Sequence, residues 1–422
     1  MPPEGPRVSG ETAARAVHAR GRPDDGGSGP VIGPAPSQPT GPVPSQPTGP
    51  ARDDALADPL LDPPVSAGRG RPLRVLMLTN MYPHPQDLSF GTFVEQQVRA
   101  LRNLGVSVDV LFVNGRASRL NYLAGYPRLW LRLRRRGYDL VHAHYVFSGL
   151  IARAQFRLPV VQSFHAPGQS HTWQGWLARH LASRVDAVTV TSQEHHQLLG
   201  FPPARVIPCG VDLERFRPMP REEARARVGW PAEGVVLLWL GDPRKEKRVD
   251  LAYTTHEELR SKMPHVGLRV VSKVPHQEVP FYLNAADVLL LTSDHEGSPV
   301  IVKEALACNL PVVSTRVGDV ADLLHGVDGC HLAEQDPRDL AAKVALALAG
   351  GGRTRGRAKM EAWSTTREAE RIVQVYREVL EARRGRRPGR QRRSATGHGR
   401  GRPPEAAASG ASPDRRVGRG DA

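Results

Sequence analysis

Short apolar runs alternate with amphipathic segments in two separate blocks of this 422-residue chain. The first block covers about 74–210, and the pattern restarts with the apolar run 234–241. Within the first block, Thr92 and Glu95 form a capping-box signature for the start of a helix. Strands that alternate with helices in this way form parallel sheets with right-handed crossovers. The sequence therefore predicts an α/β fold of two Rossmann-like domains facing one another across a cleft.

Composition sets the boundaries of the expected domains. Residues 1–72 are rich in Pro, Gly, Ser and Asp, so they cannot bury enough apolar surface to offset the entropy of ordering. We expect this segment to be disordered, and likewise the Arg-rich segment 384–422. Between them we expect a first Rossmann-like domain at 73–212, a second at 213–360, and a helix at 361–383 that packs back on the first domain.

The formal net charge of the chain is +15, and much of this surplus lies near the C-terminus. Residues 381–422 contain twelve Arg against four acidic residues, a local surplus of +8. Such a tail either binds nucleic acid or anionic lipid, or is solvated and has no specific partner. The basic character of the whole chain therefore says little about its folded part.

Cysteine usage and hydropathy indicate the compartment. Cys209, Cys308 and Cys330 are odd in number and show no C-x-x-C spacing, so we expect them to be small core side chains in a reducing compartment. No apolar stretch approaches the roughly 20 residues of a transmembrane helix, and the N-terminus shows no secretion pattern. We expect a cytoplasmic protein, with the inner face of the plasma membrane as an alternative location.

The stretch from Glu296 to Glu304 predicts a phosphate-binding turn. It follows an apolar run, 287–293, typical of a buried strand, and leads through a Gly/Ser/Pro turn into a predicted helix from Val300 to Cys308. Such a turn places free backbone N–H groups and the positive end of a helix dipole at the C-terminal edge of the sheet. The two glutamates can then accept hydrogen bonds from hydroxyl groups on either side of a diphosphate. This pattern suits a nucleotide sugar.

Several short motifs together make the chain similar to a known family. They are Tyr82-Pro83 with Gly91 after the first strand, the segments 141–144, 163–165 and 206–218, Lys247 after Gly241, and the Glu-x7-Glu pair. Over about 73–383 the chain resembles retaining glycosyltransferases of family 4, which have the GT-B fold of two facing Rossmann-like domains. It looks most similar to members that build capsular or teichuronic-acid-type polysaccharides.

The resemblance implies a role for each matching residue. His165 would lie near the reacting face of the sugar, and Lys247 would neutralise the leaving diphosphate. Glu296 would contact the transferred sugar and Glu304 the ribose hydroxyls, while Gly91 would let the first loop approach the phosphates. The backbone along the sugar and the diphosphate would be that of Gly297, Ser298, Pro299, Val300 and Ile301.

Two places depart from the family pattern. Family members usually have Arg directly after the glycine that Gly241 matches, whereas this chain has Asp242. Among the cations that follow, we expect Arg244 to supply the missing charge. The stretch 271–281 is short, so recognition of the base would fall to residues 273–276.

The resemblance implies an enzyme that moves a sugar from a nucleoside diphosphate to a glycan or lipid-linked acceptor, with retention of anomeric configuration. The first domain would bind the acceptor and the second the nucleotide sugar. No Asp-x-Asp motif and no Walker-A pattern occur in 73–383, so we expect neither a metal nor another cofactor, and no specific nucleic acid partner. Alternatives are a nucleotide-sugar epimerase of the same fold, and a basic nucleic-acid-binding or scaffold protein that works through its tail.

Three further features allow more than one interpretation. His142 and His144 lie on one predicted strand, and we expect one to face the cleft while the other packs in the core. We expect His195 and His196 to lie on a solvated helix. The segment 128–136 mixes arginines with apolar residues, and it is either a helix that docks on anionic lipid or an ordinary helix with a basic outer face.

Overall fold

The computed structural model describes residues 71–135, 137–165 and 172–385. Apart from residues 71, 72, 384 and 385, the two segments expected to be disordered lie outside this described part. The described residues form two parallel sheets with helices on both faces of each. The predicted α/β fold of two Rossmann-like domains is therefore confirmed.

The first sheet contains the strands β1 (Arg74–Thr79), β2 (Ser107–Phe112), β3 (Leu140–His144), β4 (Val160–Phe164), β5 (Ala187–Val190) and β6 (Arg205–Val206). The helices between them are α1 (Thr92–Asn103), α2 (Leu120–Arg135), α3 (Val146–Arg153), α4 (Trp173–Ala182) and α5 (Gln193–Leu199). All pairings in this sheet are parallel, and the strand order is β2-β1-β3-β4-β5-β6.

The second sheet contains the strands β7 (Val235–Leu240), β8 (Val266–Val271), β9 (Val288–Leu291), β10 (Val312–Thr315) and β11 (His331–Ala333). Its helices are α6 (Arg221–Val228), α7 (Val249–Arg260), α8 (Val279–Ala285), α9 (Val300–Ala307), α10 (Val320–Leu324), α11 (Pro337–Ala349) and α12 (Gly356–Met360). The strand order is β11-β10-β9-β7-β8, again all parallel.

The two sheets share one topology. In each, the first strand lies between the second and the third, so the chain leaves it toward one edge and later returns to the other side. The loops that follow the first and third strands diverge at this switch point and leave a crevice at the carboxyl ends, where open α/β sheets bind ligands. In the first sheet the crevice lies beyond β1 and β3, and in the second beyond β7 and β9.

The last helix, α13 (Thr365–Gly385), returns to the first domain. Its buried face, with Ile372, Val373 and Tyr376, packs in the same core as Val98 and Leu101 of α1. The helix ends two residues beyond the expected 361–383. Its apolar residues recur at helical spacing, so burial of this face against α1 holds the end of the chain on the first domain.

The chain crosses between the domains twice, and the two crossings pair with each other. Val211 on the outward crossing forms a parallel bridge with Ser364 on the return. The preceding residue, Gly210, lies so close that an added Cβ would approach the Thr365 backbone nitrogen to 2.6 Å. Only a glycine allows this approach, so the hinge region is tightly packed.

The predicted capping box at the start of α1 is wrong. The N-cap residue is Gly91, not Thr92, and no side chain caps the helix. Gly91 has a φ of 73°, and an added Cβ would lie 2.5 Å from the Met81 carbonyl carbon. The close approach of the first loop therefore requires glycine here, and Thr92 becomes the first residue of the helix.

Candidate active site

Lys247 and Glu296 come together at the switch point of the second sheet. Lys247 ends a short 3-10 turn (Lys245–Lys247) after β7, and Glu296 follows β9. Their side chains form an ion pair, with the lysine 20% exposed and the glutamate 12% exposed. Ser293 donates a second hydrogen bond to the same Glu296 oxygen at 2.8 Å. The strand order brings these two predicted site residues into contact across 49 positions of sequence.

The loop that carries Lys247 is anchored to β9 by one hydroxyl. Thr292 Oγ1 donates to the carbonyl oxygens of Lys247 and Arg248, at 2.9 and 2.8 Å, and accepts from Trp239 Nε1 at 3.1 Å. All of these groups are buried or half-buried. These hydrogen bonds fix the backbone of Lys247 at the cleft. Its ammonium is therefore positioned beside Glu296 without a bound ligand.

Glu304 lies in the second half of α9, with its side chain buried. One carboxylate oxygen lies 2.7 Å from His276 Nε2. The other ring nitrogen of His276 is 3.0 Å from an Arg215 guanidinium nitrogen. Arginine can only donate, so His276 accepts at Nδ1 and donates from Nε2 to Glu304. In this structure His276 therefore contacts the Glu304 carboxylate. The expected contact of residues 273–276 with the nucleotide base stays a prediction.

The α1 helix of the first domain reaches the same cluster. Gln96 Nε2 lies 3.5 Å from His276 Nε2, and the side chain of Gln96 is buried. The N-terminal half of α1 therefore faces the second domain at His276. The approach of Gly91 to phosphates stays a prediction.

Gly297 lies in contact with the first domain. A Cβ added to it would be 2.3 Å from His195 Cε1, 2.8 Å from Thr191 Oγ1 and 3.0 Å from the His165 carbonyl oxygen. No side chain larger than hydrogen fits there without displacing one domain from the other. The loop after β9 is thus pressed against the carboxyl ends of β4 and β5.

Glu194 adds a hydrogen bond across the cleft beside this contact. Its carboxylate accepts from the Gly318 backbone N–H at 3.1 Å. Gly318 has a φ of 51°, and an added Cβ would lie 2.4 Å from the Gly297 carbonyl oxygen. The loop after β10 therefore packs directly on the loop that carries Gly297.

His165 belongs to a group of three histidines, of which His142 and His144 are fully buried and His165 is half-buried. His165 Nε2 lies 2.8 Å from His144 Nδ1, and their rings stack with centroids 5.0 Å apart. His142 lies against the other side of His144, with centroids 4.5 Å apart, and is held by Tyr376 and Ser163 at 2.6 and 2.7 Å. Burial holds the pKa of His144 and of His165 well below the usual range, and lowers that of His142 to about 3.

The expected division of His142 and His144 between cleft and core is wrong. Both are fully buried and lie side by side. Successive side chains of a strand alternate between its faces, so residues two apart share a face. Both histidines therefore extend from the same face of β3, and only His144 contacts His165.

The expectation that His195 lies on a solvated helix face is also wrong. The pair His195-His196 does lie in α5, but His195 is 7% exposed and its Nδ1 is 2.9 Å from Thr191 Oγ1. Burial lowers the pKa of His195 to about 4, so its ring is neutral near pH 7. The helical position gives no sequence signal for this burial, because it results from the contact with Gly297.

A buried lysine connects the loop that carries Gly297 to the crossing between the domains. Lys303 is fully buried, and its ammonium lies 3.2 Å from Asp319 Oδ2 and 2.8 Å from the Cys209 carbonyl oxygen. It also contacts Ser298 Oγ, which donates to Asp319 at 2.6 Å. Burial raises the pKa of Asp319, and the Lys303 charge opposes that rise. Sequence reasoning missed this network, since Lys303 shows no motif of its own beyond its place next to Glu304.

Arg244 points away from the ion pair. Its guanidinium is 54% exposed and pairs with Glu246 at 3.1 Å and with Asp242 at 3.5 Å. Its backbone carbonyl accepts a hydrogen bond from Lys247 N–H at 2.9 Å. The role of Arg244 as a substitute cation stays a prediction, and it requires the side chain to leave these two carboxylates.

The other residues predicted to lie along the sugar and the diphosphate are together at the start of α9. Pro299 is the N-cap residue, and Val300 and Ile301 begin the helix, so their N–H groups have no partner within it. In the described part of the chain, no group of three or more His, Cys, Asp or Glu is arranged to hold a metal ion. Nor does any helix there combine the length and apolar character needed to cross a bilayer.

Tyr145 is a strained residue that sequence reasoning missed. It follows β3 with φ 68° and ψ 159°, a conformation that residues other than glycine rarely adopt. Its ring centroid is 5.2 Å from that of His165, and burial raises the pKa of its phenol. Such strain costs about 1–3 kcal/mol and is concentrated at functional sites, so Tyr145 belongs with the candidate site residues.

Comparison with known proteins agrees with this geometry. Residues 74–215 match the family model Glycosyltransferase Family 4, and residues 223–349 match Glycosyl transferases group 1. D-inositol 3-phosphate glycosyltransferase 1 of Catenulispora acidiphila is 30% identical over 313 residues, covering 59% of this chain and 74% of the relative. The chain belongs to glycosyltransferase family 4. The resemblance inferred from its motifs is confirmed, and this family 4 protein is a glycosyltransferase.

Two further relatives of this family 4 glycosyltransferase show the breadth of the match. D-inositol 3-phosphate glycosyltransferase of Thermobispora bispora is 28% identical over 327 residues, covering 62% of this chain and 75% of the relative. TuaC of Bacillus subtilis, assigned to teichuronic acid biosynthesis, is 25% identical over 322 residues, covering 60% and 83%.

Solved structures support the fold assignment of this glycosyltransferase. Sucrose-phosphate synthase from Thermosynechococcus elongatus superposes with a TM-score of 0.60 at 19% identity, covering 74% of this chain and all of that one. HepE of Anabaena, solved with UDP and glucose, superposes with a TM-score of 0.56 at 16% identity, covering 71% and 98%. At such identities the likeness shows the GT-B architecture alone.

Proposed function

We propose that this enzyme transfers a sugar from a nucleoside diphosphate to a glycan or lipid-linked acceptor, with retention of anomeric configuration. The observation that carries the proposal is the Lys247–Glu296 pair at the switch point of the second sheet, with Gly297 beside it in contact with the His165 backbone. A cation, a carboxylate and free helix N–H groups thus lie together at the cleft. HepE, which shares the fold, has been solved with UDP-glucose, in line with a nucleotide-sugar donor.

In this proposal Lys247 and the N–H groups at the start of α9 bind the diphosphate. Negative charge develops on the phosphate oxygens as the sugar leaves, and a fixed cation with oriented dipoles stabilises that charge. Glu296, already held by Lys247 and Ser293, has a second oxygen for a sugar hydroxyl. Glu304, held by His276, has a second oxygen for the ribose. Arg244 would add positive charge after leaving Glu246.

Retention would follow from attack on the same face that the diphosphate leaves. The bond from the anomeric carbon to the phosphate oxygen breaks, the bond to the acceptor oxygen forms, and the acceptor proton passes to the leaving phosphate. His165 contributes a carbonyl oxygen at the cleft and a ring whose lowered pKa keeps it neutral near pH 7. We propose that this step needs no metal ion, since the cations and dipoles of the chain itself serve the diphosphate.

We place the reaction in the cytoplasm or at the inner face of the plasma membrane. The three cysteines are free, and two of them are fully buried core side chains. This usage fits a reducing compartment.

A donor screen on the full chain tests the proposal. Thermal shift with a panel of nucleoside diphosphates and nucleotide sugars should show stabilisation by one base's diphosphate. Lys247→Ala and Glu304→Ala should each abolish the shift, whereas the matched variant Lys245→Ala, in the same turn but exposed, should keep it. Absence of a shift with every nucleotide in the folded wild type would contradict the donor-site assignment.

Once the screen has identified a donor, NMR analysis of the product shows whether the anomeric configuration is retained.

A further inference from the structure

One helical layer of the first domain carries almost only cationic and apolar side chains. The helices α2, α3 and α4 lie side by side on one face of the first sheet, and α3 contacts both neighbours. The described residues between 110 and 185, which include the helices of this basic layer, contain ten Arg, no Lys and one acidic residue, Asp139, while Asp109 on β2 and Asp186 before β5 lie at its borders. Asp139 is bound by Arg71 at 2.6 Å. The positive charge of the basic layer is therefore not balanced within it.

The opposite layer of the same sheet shows what an ordinary solvated face looks like in this domain. On α1, Arg99 pairs with Glu95 at 3.7 Å, and on α13, Arg367 pairs with Glu370 at 2.8 Å. Both signs of charge alternate there. A general Arg bias of the chain does not explain this difference, because α2, α3 and α4 contain no acidic residue, whereas α1 and α13 do.

The basic layer also exposes large apolar side chains. Eleven such side chains are exposed among the described residues, and eight of them lie between Leu120 and Trp176. Leu120 and Leu123 at the start of α2 are 70% and 66% exposed, and Trp173 and Trp176 at the start of α4 are 63% and 59% exposed. Monomeric soluble proteins rarely gather so many on one surface, and such patches mark interaction sites.

Ring contacts join the starts of the three helices into one strip. Phe147 at the start of α3 lies between Tyr122 of α2 and Trp173 of α4, with ring centroids 4.9 and 6.4 Å away. These helix starts follow the carboxyl ends of the strands, so the strip borders the cleft. Trp130 and Leu131 extend the apolar surface along α2 between exposed arginines.

We propose that the basic layer docks on an anionic phospholipid bilayer, with Trp173, Trp176 and the leucines of α2 inserted at the level of the headgroups. Tryptophan prefers this interface, and arginine side chains bind lipid phosphates while their stems cover apolar surface. Nucleic acid would use the arginines but would leave the exposed leucines in water. The bilayer uses both, and it would bring a membrane-bound acceptor to the edge of the cleft. Docking does not depend on the donor chemistry, so it can fail or hold independently of the proposed function.

Vesicle binding by the full chain tests this proposal without any nucleotide. Vesicles of phosphatidylcholine with phosphatidylglycerol should bind the protein, and vesicles of phosphatidylcholine alone should bind it far more weakly. Brominated acyl chains should quench tryptophan fluorescence, and the Trp173→Gln, Trp176→Gln double variant should lose most of that quenching. Arg128→Glu with Arg134→Glu should weaken binding to the anionic vesicles about a hundredfold.

The controls separate docking by the basic layer from adhesion of the C-terminal segment. Arg99→Glu with Arg367→Glu makes the same charge change on the opposite layer and should leave binding nearly unchanged. The Arg-rich segment 384–422 contains no tryptophan. Vesicles held by that segment alone would therefore bind the protein without quenching Trp173 or Trp176. Binding without quenching, equal weakening in both charge variants, or no preference for anionic vesicles would each overturn the proposal. Thermal melts verify that every variant is folded.

Discussion

His276 Nε2 lies 2.7 Å from the Glu304 carboxylate, while Arg215 donates to the other nitrogen of the same ring. The arginine fixes the tautomer, so the histidine is a donor to the carboxylate. A glutamate expected to bind ribose is thereby held in one orientation before any donor arrives. Pre-organisation of this kind raises affinity by reducing the entropy lost on binding.

Replacement of His276 by alanine should weaken binding of the nucleoside diphosphate identified in the donor screen about tenfold, because a hydrogen bond to a charged group is lost. Isothermal titration calorimetry measures this change. His265→Ala, the same substitution at an exposed position near the start of β8, should leave the affinity unchanged. Equal affinity of His276→Ala and wild type would show that Glu304 does not depend on the imidazole.

Substitution of Gly297 by alanine should push the domains apart. The new methyl group would need the space of His195 Cε1, 2.3 Å away, and overpacking of this kind costs about 1–3 kcal/mol. We expect a lower melting temperature and loss of nucleotide stabilisation. Gly267→Ala, where the nearest atom is 3.8 Å away, is the matched control and should bind nucleotide normally. Normal binding by Gly297→Ala would mean that the cross-cleft contact is dispensable.

The buried Lys303–Asp319 pair should make a large contribution to stability. Lys303→Met leaves the Asp319 carboxylate buried without its cation, which costs about 3–5 kcal/mol, whereas removal of both charges in Lys303→Met with Asp319→Asn should restore most of the loss. Urea denaturation measures both free energies of unfolding. Arg367→Met removes an exposed pair with Glu370 and should change stability by less than about 1 kcal/mol. A single Lys303 variant as stable as this control would contradict the assignment.

The protein should lose stability as the pH falls below the ordinary histidine pKa of 6.5. The folded pKa values of His142 and His195 are lowered to about 3 and about 4, and those of His144 and His165 lie well below 6.5. Between the folded and unfolded pKa values the unfolded chain binds more protons, so stability rises with pH. Each histidine contributes up to about 1.4 kcal/mol per pH unit in that window.

Urea denaturation at several pH values from about 7 to about 5 measures this slope. His195→Gln removes one of the four groups and should reduce the slope by up to about 1.4 kcal/mol per pH unit. His265→Gln, at an exposed position, should leave it unchanged. An unchanged slope in His195→Gln would mean that His195 is not held neutral in the folded state.

Sequence reasoning reached the architecture because its signals are local. Apolar runs such as 287–293 and the alternation of strand and helix predict parallel sheets wherever they occur. The turn between Glu296 and Glu304 predicts a phosphate site from its own residues, and that site stays a prediction. The family resemblance then named Lys247 and Glu296 as members of one site. The structure shows them in contact at the cleft, though their chemical roles stay proposals.

For the capping box and for His195, residues outside the local segment decided the outcome, whereas the expected division of His142 and His144 failed because residues two apart on a strand share a face. Gly91 replaced the expected capping box because the Met81 backbone lies against it, and His195 was buried because Gly297 approaches from the other domain. A capping box or a helix face can be read from residues three or four apart. Contacts with the preceding loop or with the other domain cannot.

The sequence by itself determined two Rossmann-like domains, the family, and the strand–turn–helix that carries Glu296 and Glu304, since periodicity, turn chemistry and motif spacing all act within one segment. Only the tertiary structure decided that His276 holds Glu304, that Lys303 reaches the hinge carbonyl of Cys209, and that the arginines and exposed tryptophans of α2 and α4 share one surface. These relations join segments from 28 to 94 residues apart, or helices whose order is set by strand pairing. Their free energies depend on distances that exist only once the chain has folded.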